Sequence, residues 1–196
     1  MKKNIITISR QFGSGGRFIG EEVAKQLGIS YYDKNIIEKI AEKSGLAPEY
    51  IEKNGELSPG RGVFSYAFSG RDLTGKSVED ELYEVQRKII LELVQKGPCV
   101  IIGRNADYIL RDRDDVVNVF ICGNQPEKQQ RICKLYDVSE KEAIKLMKEV
   151  DKRRMANYNF YTEQKWGMAS NYTISLNSSK LGCEMCQKII IDCTEL

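Results

Sequence analysis

Residues Ile8–Gly20 read ISRQFGSGGRFIG. They follow an apolar, β-branched run, NIITIS (Asn4–Ser9), and lead into EEVAKQLG. There Ile19, Val23, Ala24 and Leu27 recur at helical spacing. Strand, glycine-rich turn and helix in that order is the layout in which backbone N–H groups and the positive end of a helix face phosphate. Gly13, Gly15 and Gly16 let the turn present its amides, Ser14 lies among them, and Arg17 supplies a cation. The usual ending, lysine followed by a hydroxyl residue, is replaced by Arg17-Phe18. The same residues also read as a tight structural turn, and the loop alone leaves both readings open.

Outward from this loop the pattern alternates. Ile29–Asp33 is a short strand, and Asp33 is placed to cap a helix that ends at Gly45. Between Ala47 and Gly75, prolines and glycines punctuate a stretch in which Phe64, Tyr66 and Phe68 alternate; such a segment in a compact chain is either functional or disordered, and the aromatics argue against plain disorder. SVEDELYEVQRKIILELVQKG reads as a long helix closed by Gly97. Pro98–Gly103 and Val116–Cys122 are buried strands, followed by two helices, the second with a Ser139/Glu142 capping box. Asn171–Asn177 is another strand, and KLGCEMCQKIIIDCTEL is expected to be one final helix. Alternating strands and helices predict an α/β fold with a mostly parallel sheet. Ligands of such sheets bind at the carboxyl ends of strands. Here those ends are Ser9-Arg10, Asp33 and Gly103-Arg104, expected to converge on one cleft.

Composition narrows the chemistry. The chain of 196 residues has no histidine, which excludes Ser-His and Cys-His nucleophile schemes and histidine-ligated metals. A net charge of +2 carries no footprint for a nucleic acid polymer. No apolar run reaches the length of a membrane span, and the apolar start is too short for a signal peptide, so a cytoplasmic protein is expected. Its six cysteines then read as thiols; Cys183 and Cys186 form a CxxC with no second pair at zinc spacing. Arginines, carboxylates and backbone amides remain, a set suited to phosphoryl transfer. Arg104, just after a buried strand, either reaches an anionic substrate or braces its loop against Asp107 or Asp112. Lys152, Arg153 and Arg154 form either a solvated basic face or a set of cations that closes over a phosphoryl group.

Taken together, ITISRQFGSGGRFIGEEVAKQLGISYYDKNII, CVIIGRNADYIL, DKRR followed by NYNFYTEQKWG, and YTISLNSSKLG resemble the cytidylate kinase-like family of P-loop proteins. The resemblance runs in order along nearly the whole chain and is weakest over Ile51–Lys76. It implies a three-layer P-loop NTPase fold in a single domain, 1–196. The core would be about 1–33, 98–149 and 169–196, with a helical acceptor-binding insertion at about 34–97 and a lid at about 150–168. It implies transfer of the ATP γ-phosphoryl to a nucleoside monophosphate, CMP first among them, with Mg²⁺. By position, Gly13, Ser14, Gly15, Gly16 and Arg17 would hold ATP phosphates. Arg131 would flank the adenine, and Asn177 and Ser178 would lie near the base. Asp33 and Arg104 would serve the acceptor. Arg153 and Arg154 would be lid arginines that join Arg17 in catalysis. Phe18 offers no oxygen to Mg²⁺, which leaves Ser14, or water and phosphate alone, to hold the metal. Asn105 stands where a cytidylate kinase has a carboxylate. A kinase for another small molecule on the same fold, a nucleotide-binding regulatory module without catalysis, and an interaction protein whose glycines only form a turn remain as alternatives. Oligomeric state is not legible.

Overall fold

A computed structural model describes residues 3–45 and 78–196. The segment with Phe64, Tyr66 and Phe68, and much of the expected acceptor insertion, lie outside the described residues. Five strands, β1 (Ile5–Arg10), β2 (Ser30–Tyr32), β3 (Cys99–Ile102), β4 (Val116–Cys122) and β5 (Ile174–Asn177), form one parallel sheet in the order β2-β3-β1-β4-β5. Strand β1 is central and buried along its whole length. That explains its continuous apolar composition, since both faces of a parallel sheet are covered.

The strand alternation feeds two cores. Ile6 and Ile8 join Val100, Ile102, Val117 and Val119 on one face, under α1 (Gly16–Leu27) and the C-terminal helices. Ile5, Cys99, Ile101 and Val116 face the other side, under α2 (Lys34–Ser44), α3 (Val78–Val94) and the short α4 (Ala106–Ile109). The result is the expected three-layer α/β arrangement. After β4 come α5 (Gln125–Tyr136) and α6 (Glu140–Thr162), the latter opened by the Ser139/Glu142 capping box.

Three sequence expectations are corrected. Asp33 makes no capping hydrogen bond to α2, because its carboxylate is engaged by the Arg17 guanidinium. The final helix is divided: α7 (Ser178–Leu181) stops at Gly182, whose φ of 79° and ψ of 160° break the helical path, and α8 (Cys183–Asp192) starts anew. Arg104 does not brace its loop against Asp107 or Asp112. Asp107 accepts from the Tyr158 hydroxyl at 2.7 Å, and Asp112 lies 3.8 Å from Arg111.

Chain direction opens the crevice. The connection leaving β1 runs through α1 to β2 on one side, whereas that leaving β4 runs through α5 and α6 to β5 on the other. Neighbouring strands whose exits diverge leave a gap at their carboxyl ends. The end of α6 is anchored beside this gap. Asn105 donates to Asn157 at 3.0 Å, and the Phe120 ring of β4 meets Trp166 edge-on at 5.3 Å. No helix among the described residues is long and apolar enough to cross a membrane.

The Asp107–Tyr158 contact yields a pH test. Burial pushes the Asp107 carboxyl up to about 6, against the lowering effect of the Tyr158 hydrogen bond. The unfolded value is about 3.9. The native state therefore binds more protons than the unfolded chain between those values, and this residue's contribution to stability falls as pH rises through that window. Asp107→Asn removes the effect. Relative to wild type, the variant should gain up to about 3 kcal/mol between pH 4 and pH 7 in paired urea melts. A stability difference independent of pH would contradict it.

Candidate phosphate-binding site

The loop after β1 has the backbone of an anion cradle. Gly13 and Gly15 sit at φ of 79° and 80°, where a Cβ is disfavoured. Gly13 is also crowded: a Cβ there would come within 2.9 Å of the Lys128 carbonyl oxygen. The first hydrogen bond of α1 runs from the Ile19 N–H to the Gly15 carbonyl. The preceding first-turn N–H groups have no partner within the helix. The N-cap, Gly15, brings no side-chain cap, and the first turn has no acidic residue. The positive end of α1 is thus left for an exogenous anion.

This helix end opens on a cavity of about 680 Å³. Gly13, Gly15, Gly16, Arg17, Arg104, Arg131, Arg153 and Arg154 all line it, so eight of the ten predicted site residues meet there. Arg10 lines it too, which among the described residues makes six guanidinium groups and one lining carboxylate, Glu21. Arg131, from α5, donates to the Gly13 carbonyl and lies over Gly15. Arg154, from α6, donates to the Arg10 carbonyl at 3.1 Å.

The other two predicted residues are placed differently. Ser14 is fully buried; its hydroxyl donates to the Gln11 carbonyl at 2.8 Å, and its carbonyl accepts from Ser178 Oγ at 2.6 Å. The oxygen set aside for Mg²⁺ is therefore turned into the protein. Asp33, also buried, forms a two-point ion pair with Arg17, through Nε to Oδ2 and through a terminal nitrogen to Oδ1 at 3.4 Å. Asn177 and Ser178 are structural here. Asn177 caps α7 by accepting from the N–H groups of Ser179 and Lys180, and Ser178 ties the loop to the Cys122 carbonyl at 3.0 Å.

Sequence reasoning missed the loop's supports. Gln11 Oε1 accepts from Lys128 Nζ at 2.9 Å and from the Gly123 N–H at 3.3 Å. Asp151 accepts from the Phe12 N–H at 2.7 Å and stands 3.9 Å from both Lys128 and Arg154. Burial raises the Asp151 carboxyl above its ordinary value, while the Phe12 amide, Lys128, Arg154 and Arg10 hold it down. Asp151 and Arg154 lie one helical turn apart on α6, so the helix that carries the arginines also grips the loop. Lys128 and Asp151 give no local signal, since each reads as an exposed helix charge until the fold is known. Arg10 did carry one, as the polar residue that ends an otherwise apolar central strand.

Across the crevice, Gly103, Arg104 and Asn105 take successive left-handed conformations, at φ of 64°, 60° and 54°. For the two non-glycine residues this costs of order 1–3 kcal/mol each. Buried Gln86 of α3 holds the turn by donating to the Arg104 carbonyl at 2.9 Å, and Asn105 is held by Asn157. The strained turn directs the Arg104 side chain to the cavity, where one terminal nitrogen is buried with no hydrogen-bond partner among the described residues.

Comparison with known proteins bears on the fold and the family. A search of curated proteins finds no match. A solved structure of an uncharacterized protein from Eubacterium ventriosum ATCC 27560 is 26% identical, covering 97% of this chain and 98% of that one, with a TM-score of 0.75. A shikimate kinase from Bacteroides thetaiotaomicron is 15% identical, with 98% of each chain covered and a TM-score of 0.55. A gluconokinase from Sinorhizobium meliloti 1021 is 14% identical, with 99% and 95% covered and a TM-score of 0.56. At such identities the two kinases share the fold alone. The sequence pattern of the cytidylate kinase-like family matches residues 5–180, from the first strand through the loop, the arginine-bearing helix and the last strand. The chain belongs to the cytidylate kinase-like family.

Proposed function

We propose that the protein is a phosphotransferase that moves the γ-phosphoryl of ATP to a nucleoside monophosphate, with CMP the first acceptor to test. One observation carries the reading: an uncapped helix end behind a left-handed glycine loop opens on a cavity that, among the described residues, is lined by six guanidinium groups and one carboxylate. That wall suits a polyphosphate and a second anion together, and little else.

In this mechanism the amides from Gly13 to Arg17 cradle the donor phosphates. Arg131 lies over the loop beside them, and Arg104 fixes the acceptor phosphate. Arg153 and Arg154 neutralise charge on the equatorial oxygens of the transferring group. An acceptor phosphate oxygen bonds to the γ-phosphorus as the bond to the β–γ bridging oxygen breaks, and ADP leaves with that electron pair. The acceptor is already ionised, so no general base is required. Residues 150–168, proposed as the lid, would keep water from competing as acceptor. Among the described residues, Ser14 Oγ faces inward and Asp33 is engaged by Arg17, so neither is placed as a metal ligand. In this reading Mg²⁺ would arrive on ATP with its water.

A second reading, a nucleotide-binding module without transfer, is favoured by the Arg17–Asp33 pair and by the exposed Phe18 where a metal-binding hydroxyl would stand. Thermal shift with nucleoside mono- and triphosphates, followed by transfer assays from ATP to CMP and to sugar and shikimate acceptors, separates the readings. ATP binding without transfer selects the module, and transfer only to a non-nucleotide acceptor selects a different small-molecule kinase. Under the proposed function, Gly13→Ala abolishes the ATP-dependent thermal shift, because the loop has no room for the Cβ. Arg17→Ala lowers turnover with ATP and CMP by about 100-fold or more. Unchanged turnover would show that Arg17 is not the loop cation.

A further inference from the structure

The stretch Cys183-Glu184-Met185-Cys186 is set against the phosphate loop. Gly182, at φ of 79° and ψ of 160°, turns the chain from α7 into α8, and Cys183 is the first residue of α8. Both cysteines belong to the start of that helix, where the Cys186 N–H donates to the Gly182 carbonyl at 3.3 Å. Cys183 Sγ stands 3.6 Å from where a Cβ on Gly15 would lie, and the Arg131 guanidinium flanks the same position. Gly15 is the N-cap of α1. Of the six cysteines, Cys183 alone lines the main cavity, and it also lines a groove between α1 and α8 with Phe18, Glu22 and Lys188. The same corner holds the loop at a second point, where Ser178 Oγ donates to the Ser14 carbonyl.

Cys186 is a thiol of the opposite kind. It is fully buried in the core beneath α1 and α8. Burial pushes its thiol up to about 11, and the neighbouring Cys183 and Cys122 add to the effect. Cys122 Sγ lies 3.5 Å from the Leu176 carbonyl, while Cys133 packs on the small cluster at α5 and α6 and Cys193 on the core under α1. Among the described residues no three cysteine or acidic side chains are arranged to hold a metal ion. A thiol reached from a cavity, with a buried thiol one turn behind it at a helix start, is the arrangement of a dithiol–disulfide pair.

We infer that Cys183 and Cys186 form a redox-active dithiol whose oxidant is a small-molecule disulfide, and that the bridged form weakens the loop's hold on a polyphosphate. The coupling to the loop rests on the anion-binding reading above; the redox chemistry does not. The Cys183 sulfur attacks one sulfur of the oxidant RSSR. Its S–S bond breaks, a mixed disulfide forms, and RSH leaves with the Cys183 proton. The Cys186 sulfur then attacks Cys183 in the mixed disulfide, and a second RSH leaves with the Cys186 proton. The two cysteines are oxidised and one RSSR is reduced to two RSH. Residues three apart on a helix have Cβ atoms about 5–6 Å apart, and a disulfide draws them to about 4 Å. Bridging therefore tightens the first turn of α8 and takes the Cys183 sulfur off Gly15. A Cβ on Gly182 would meet nothing within 4 Å, so the corner has room to shift.

Peptide mass mapping after equilibration in oxidised and reduced glutathione tests the pair. Wild type should bridge Cys183 to Cys186. Cys186→Ala should stop at a glutathione adduct on Cys183, and Cys183→Ser should give neither product. Adducts that form first on Cys122, Cys133 or Cys193 would overturn the pair. So would a wild-type chain that forms no bridge in oxidised glutathione, a result that needs no variant to fold. Titration with tripolyphosphate tests the coupling. The bridged protein should bind about 10-fold more weakly than the reduced protein and recover after treatment with a dithiol reductant. Linkage then requires saturating tripolyphosphate to shift the redox equilibrium toward the dithiol by the same factor. Equal affinity of the two forms would overturn the coupling. If tripolyphosphate binds neither form, the anion-binding reading of the loop falls and the coupling with it, while the mapping still judges the pair.

Discussion

Repulsion among like charges governs this molecule's crevice. Two cations 5 Å apart repel by about 3 kcal/mol at an effective dielectric of 20, and six guanidinium groups line one hollow. The fold tolerates them through partial counterweights placed at the wall. Asp33 holds Arg17, the Gly13 carbonyl takes Arg131, the Arg10 carbonyl takes Arg154, and Asp151 sits between Lys128 and Arg154. Two of these are backbone dipoles, not full charges, and offset a guanidinium only in part. A polyanion that enters relieves the repulsion and gains the helix end as well.

The backbone explains why the arginines stay aimed inward. Strand β1 is locked from both faces, with Ile6 and Ile8 in one core and Ile5 in the other. Its polar pair, Thr7 with Asn118 at 2.6 Å, fixes the register against β4. The loop therefore leaves the sheet at a set point. Phe12 then packs against the small cluster around Ile132, Ala143 and Met147, where α5 meets α6. Asp151 grips the Phe12 amide from α6, three residues before Arg154. The glycine loop and the arginine-bearing helix are thus one mechanical unit. The left-handed turn at Gly103–Asn105 is the opposing wall, and its strain is sustained by Gln86 and Asn157. Strain of this kind persists only where its surroundings over-determine it.

Much of this was legible in the residues. Apolar runs marked β1, β3 and β4 to within a residue or so, because a parallel strand buried on both faces has no polar alternation to confuse the reading. The glycine loop and the arginines after it were legible because they are the residue types that anion binding needs at a strand-to-helix junction. Roles that depend on distant partners were not legible. Asp33 sits where a cap belongs, yet Arg17, brought close only by the packing of α1 beside β2, claims its carboxylate. Ser14 carries the right hydroxyl at the right position, but the direction of its side chain is set by the Gln11 carbonyl. Lys128 and Asp151 look like surface charges on helices until α5 and α6 close over Gln11 and Phe12. Residues 46–77 lie outside the described residues, and the aromatic alternation there remains an expectation.

The Arg17–Asp33 pair gives the altered loop a physical logic. A lysine at that position would present a compact point charge with a flexible stem; arginine presents a planar fork that can hold a carboxylate at two points. Asp33 closes β2, and Arg17 lies in the first turn of α1, so the pair spans the expected acceptor and donor sides. Because the Arg17 side chain is 48% exposed, the bond is reachable by solvent and can be traded for a phosphate without a large desolvation cost. An anion on the loop would compete with Asp33 for the Arg17 fork, so the positive end of α1 and the residue after β2 draw on one side chain.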